Sequence, residues 1–76
     1  MDEVLSLYTS LLNIGQQAYA AGLFLVAYHA LCGALHCAVL RQDLLRVSEV
    51  ELWARVYYDK LELEYRATSP EKKPGE

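Results

Sequence analysis

Apolar positions near the start of the chain recur with the period of a helix. Val4, Leu7, Tyr8, Leu11, Ile14, Ala18 and Tyr19 share about half of a helical wheel, while Ser6, Thr9, Ser10, Asn13, Gln16 and Gln17 occupy the other half. This predicts an amphipathic helix over 2–21, with Asp2 and Glu3 at its positive end and Gly22 placed to close it in a left-handed conformation. The next segment, LFLVAYHALCGALHCAVLR, is apolar almost all round and predicts a second helix over 23–41, folded back on the first by a short turn. One of its faces carries Leu23, Phe24, Ala27, Leu31, Ala34, Leu35 and Ala38; the opposite face carries Leu25, His29, Cys32 and His36.

A third helix is predicted over 49–66. Ser48 and Glu51 have the spacing of a capping box, with Val47 and Leu52 at the positions of a hydrophobic staple. Val50, Ala54, Tyr57, Tyr58, Leu61 and Tyr65 make one apolar stripe, and Leu52, Val56 and Leu63 make a second on the opposite side. Charged residues lie between the stripes, so the helix needs two packing partners. Residues 1–67 form a single helical domain on this reading, and 68–76, with two prolines and a glycine, form an irregular tail.

Leu11, Ile14, Gly15, Gly22, Ala27, Leu31, Ala34 and Leu35 fall at the packing offsets of a helical hairpin. Over about residues 8–41 the chain resembles one tetratricopeptide repeat (TPR-like), in which Gly15 would let the two helices approach and Ala27 would fill the contact opposite. It departs from the family at Leu11, where Trp is common, at Ala18, where an aromatic is common, and at Val39, near which the repeat often ends in Pro. The resemblance implies a close antiparallel hairpin and a bias toward protein association. It carries over no ligand-contacting residue, because the family's binding groove needs several stacked repeats.

Composition sharpens the question of association. The chain has 76 residues, 54% of them apolar, and a domain of this size buries only about 60% of its unfolded surface. A hairpin plus one helix cannot cover both faces of segment two and both stripes of segment three. The expected architecture is therefore an all-α, three-helix chain assembled as a homodimer in a helical bundle, with Leu25, Val39, Leu52, Val56 and Leu63 at the interface and Trp53 near its rim.

Ten acidic against seven basic residues give a net charge of −3, and from Val4 to Leu40 the chain has no Asp, Glu, Lys or Arg. That excludes the clustered basic surface of a nucleic-acid binder. The uncharged run Ala18 to Leu40 is long enough to cross a bilayer. Its two histidines, its tyrosine and its small residues at packing offsets argue against that use. No secretory signal is visible behind Met1-Asp2-Glu3, and two cysteines make no disulfide framework, so the expected setting is the reducing cytoplasm.

One constellation has a chemical look. His29, Cys32 and His36 lie within about 60° of one another on a helix, and borderline ligands so placed could converge on zinc or another transition metal. Packing is the plainer use of these residues, since Cys in an apolar helix acts as a small hydrophobe. His36 points away from its neighbour Cys37, and neither a glycine-rich loop nor paired carboxylates accompany either thiol, so catalysis is not expected. The expected function is a small non-enzymatic interaction or adaptor module that acts with itself and with another protein and needs no cofactor. The alternative is a metal- or cofactor-binding helical protein using His29, Cys32 and His36.

Overall fold

The computed structural model describes residues 2–68, which form α1 (Glu3–Ala20), α2 (Phe24–Leu40) and α3 (Leu44–Thr68) with no strand among them. The fold is all-α. α2 is the shared central helix and packs against both of its neighbours. The two tight turns reverse the chain each time, so α1 and α3 run in the same direction over α2. Ala27, Leu31, Ala34 and Ala38 of α2 are almost wholly covered, and Tyr8, Ala18, Val50 and Tyr57 close over them from α1 and α3. Small residues on α2 allow the bulky aromatics of the flanking helices to descend onto it.

The expected face of α1 is rotated in the structure. Leu5, Leu12 and Gly15 join Tyr8, Leu11 and Ala18 in or against the core, whereas Leu7 and Ile14 stand exposed. A Cβ added at Gly15 would lie 3.5 Å from the Ala27 carbonyl oxygen and 3.6 Å from the Ala30 Cβ, ordinary contact distances. The approach of α1 to α2 is thus set by Ala27 and Ala30 as much as by Gly15.

Both turns have the same geometry. The Gly22 and Leu23 N–H groups donate to the Tyr19 and Ala18 carbonyls at 3.0 and 2.8 Å, and the Gln42 and Asp43 N–H groups donate to Val39 and Ala38 at 2.9 and 3.0 Å. These are Schellman closures, which need a left-handed residue after the cap. Gly22 supplies it at φ 80°, while at the second turn Gln42 adopts φ 56° with a side chain in place. Left-handed backbone costs a residue bearing a Cβ roughly 1–2 kcal/mol, part of which returns as the greater freedom of glycine in the unfolded chain. Gln42→Gly is therefore expected to stabilise the fold by about 0.5–1 kcal/mol, read as a higher urea midpoint. An unchanged or lower midpoint would show that Gln42 bears no strain.

The start of α3 corrects the expected boundary. The helix begins at Leu44, not at 49, because Asp43 caps it: the Arg46 N–H donates to the Asp43 carboxylate at 3.2 Å, and the Arg46 guanidinium grips the other oxygen at 2.6 Å. Ser48 and Glu51 instead lie exposed within a helix already running, and Leu52 is exposed, so Val47 and Leu52 form no staple. An acceptor one residue beyond the left-handed position captures the orphan N–H groups before the Ser48 signal is reached. The tail expected over 68–76 lies outside the described residues except for Thr68, which belongs to α3.

Asp2 does the same for α1, accepting from the Leu5 N–H at 3.0 Å and pairing with Arg41 at the end of α2. The Arg46 hydrogen bonds, side chain first and then backbone, hold the Asp43 carboxyl below the usual carboxylate range. A carboxyl depressed on folding contributes stability above its unfolded pKa and loses it as pH falls through the folded value. The melting temperature is accordingly expected to fall as the pH is lowered below about 4, and Asp43→Asn should flatten part of that acid limb. An identical acid limb in the variant would remove Asp43 from the account.

Candidate functional site

His29, Cys32 and His36 share the outer face of α2, where the wheel placed them. Both histidines are exposed and Cys32 is half-buried, while Cys37 is turned into the core. The Cys32 thiol interacts with the Tyr28 hydroxyl one turn earlier, and this interaction, followed by burial, pushes the Tyr28 phenol above its ordinary range. Among the described residues no group of three His, Cys, Asp or Glu side chains could hold a metal ion. Three ligands along one straight helix need a further ligand from a second element to converge. Among the described residues, no helix is long and apolar enough to cross a membrane: the uncharged run is broken by the turn at Gly22.

Around this face lies a large exposed apolar surface. Leu25, Val39, Leu52, Val56 and Leu63 are all exposed. They fall on two separate faces. Leu25 borders a groove beside Tyr58 and Glu62, and a neighbouring groove contains Tyr28, Glu51 and Arg55; these place the charged row Glu51, Arg55 and Glu62 along the α2 side of α3. Leu52, Val56 and Leu63 lie beyond that row, on the edge of α3 that points away from α2. Leu45 extends this edge by two turns, because α3 starts earlier than the capping box implied. Leu7 and Ile14, which the wheel placed on the apolar half of α1, are also exposed, as are Val26 and Leu40 of α2.

The third feature is an aromatic groove between α1 and α3. Tyr19 stacks on Tyr57 with ring centroids 4.4 Å apart and meets Phe24 at 5.2 Å, so one tyrosine ties the first turn to the third helix. Trp53 stands edge-on to Tyr57 at 6.3 Å. Toward the start of both helices, Arg46 lies over the Tyr8 ring at 5.6 Å, and burial and then Glu49 push the Tyr8 phenol up. The Tyr8 hydroxyl is buried and has no hydrogen-bond partner. Helical spacing alone could have found this groove, since Tyr8, Leu12 and Gln16 make one row and Glu49, Trp53 and Tyr57 another, each stepping by four. That the two rows face each other depends on α1 and α3 lying side by side over α2.

No family model, curated protein or solved structure matches the chain, so its function is argued from its own residues.

Proposed function

We propose that the protein is a non-enzymatic helical interaction module that works as a homodimer, with the outer edge of α3 as the self-association surface. The observation that supports this reading is the exposed stripe Leu45, Leu52, Val56 and Leu63. Steps of seven, four and seven residues are those of a coiled-coil seam, which a single three-helix layer leaves uncovered. The flanking charges favour a particular direction. In a parallel pair Arg55 of one copy would face Lys60 of the other, like against like. An antiparallel pair instead sets Arg55 against Glu62 twice, and brings Leu52 against Leu63 across the two-fold axis.

The second apolar face, with Leu25 and Val39 around His29, Cys32 and His36, is then the surface offered to a different protein. The resemblance of the hairpin to a tetratricopeptide unit agrees with such a use. The solution mass of the native chain tests the dimer. A folded monomer at micromolar concentration would overturn it.

A further inference from the structure

Leu25, His29, Cys32, His36 and Val39 follow one another along α2 in steps of four, three, four and three residues, the spacing of a seam that meets a second helix. The stripe lies opposite the buried row Ala27, Leu31, Ala34 and Ala38, so α1 and α3 leave it uncovered. Four of its members are exposed, and Cys32 at its centre is half-buried. Cys32 and His36 stand one turn apart, the four-residue separation at which two ligands on a helix reach the same ion. The Tyr28 hydroxyl hydrogen-bonds the Cys32 sulfur, and a donor of this kind orients and steadies a metal-bound thiolate from outside the ligand set. Among the described residues no three His, Cys, Asp or Glu side chains of one chain come together around an ion. One chain therefore offers a pair of ligands here, whereas a structural zinc site takes four.

We infer that two copies of the chain hold one zinc ion between their α2 helices, each giving the Cys32 sulfur and a ring nitrogen of His36. A two-fold axis at the level of Ala34 sets Cys32 of each copy beside His36 of the other, which completes a tetrahedron of two sulfurs and two nitrogens. The same register lays His29 of each copy against Val39 of the other. Thiolate and imidazole donors in this ratio select zinc over magnesium or calcium. Binding releases one proton from each Cys32 thiol, and two thiolates balance the charge of the ion, so the closed seam carries no net charge at the metal. Loaded, this face is closed by a second copy; empty, it is open to a different protein, a consequence that rests on the function proposed above, as the zinc site itself does not. The self-association edge of α3 points away from α2, so the zinc pairing neither needs it nor blocks it.

The full chain, reduced and stripped of metal, is titrated with zinc and in parallel with cobalt, whose absorption reports both tetrahedral geometry and sulfur ligation. The expected result is saturation at one metal per two chains, a doubling of the solution mass, and a sulfur-to-cobalt charge-transfer band. Cys32→Ser and His36→Ala should each abolish the doubling and weaken binding at least about tenfold, and Tyr28→Phe should weaken it about tenfold. His29→Ala and Cys37→Ala should keep both the metal and the doubling, and circular dichroism checks that each variant is as helical as the parent. The titration is repeated in Val56→Asp, where zinc should turn a monomer into a dimer, so that failure of the α3 pairing and failure of the zinc pairing are read separately. Saturation at one metal per chain with no change in mass, an octahedral cobalt spectrum, undiminished binding in Cys32→Ser or in His36→Ala, or no binding at micromolar metal would overturn the proposal.

Discussion

Val56→Asp is expected to convert the protein in solution from dimer to monomer while leaving it folded. Val56 is 45% exposed within the single chain, so the substitution costs the isolated fold little, yet in the proposed seam the side chain lies close to the two-fold axis. Each copy would lose about 1 kcal/mol of apolar burial, a share of the 1.5–3 kcal/mol for a whole valine. Each would also place a carboxylate in the seam near Asp59 of the other copy, where desolvation and like charge add to the cost. A combined penalty of at least about 3 kcal/mol weakens dimerisation more than a hundredfold, since each 1.4 kcal/mol is a factor of ten. Sedimentation at micromolar concentration together with circular dichroism reads both quantities. A dimer mass that survives in Val56→Asp and in Leu52→Asp would remove this edge of α3 from the interface.

The largest loss of stability is expected from Leu31→Ala. Leu31 is 1% exposed, touches the Gly15 position on α1 and floors the cavity between α1 and α3. Truncating a buried leucine costs about 2–5 kcal/mol, more when the surroundings cannot collapse into the space. Here the new void opens into the existing cavity that Leu31 shares with Tyr57 and Trp53, which enlarges the unfilled space, so a cost of about 3 kcal/mol or more is expected. A chain of this size has only about 4–11 kcal/mol to lose, and the melting temperature should fall by roughly 10–25 °C. Leu40→Ala, on the exposed side of α2, should stay within about 0.5 kcal/mol of the parent. Comparable losses in the two variants, measured at one protein concentration because association shifts apparent stability, would show that the core is not centred on Leu31.

Much of this arrangement is legible along the chain. Periodicity marks α1 and the two faces of α2, and Gly22 marks the first turn because it is the residue that takes a positive φ without strain. The second turn is hidden for the same reason: Gln42 carries a side chain that gives no warning of a left-handed backbone. The start of α3 is hidden behind a better-known signal, since Ser48 and Glu51 satisfy a pattern that Asp43 had already made unnecessary. His29, Cys32 and His36 do share a face, but sequence spacing says nothing about the second element that a metal site would need.

The sequence by itself determined that the chain is helical, that α2 would be apolar almost all round and that α3 would carry a second apolar stripe opposite the first, because each follows from local periodicity. The tertiary structure alone decided that Leu7 and Ile14 face outward while Leu5 and Leu12 turn inward, and that the predicted interface residues fall on two faces divided by a charged row. It alone also set Tyr8, Trp53, Tyr57 and Glu49 around one cavity. A wheel fixes angles around a single axis. Which side chains meet across two axes depends on how closely Ala27, Ala30 and Ala34 let the helices approach.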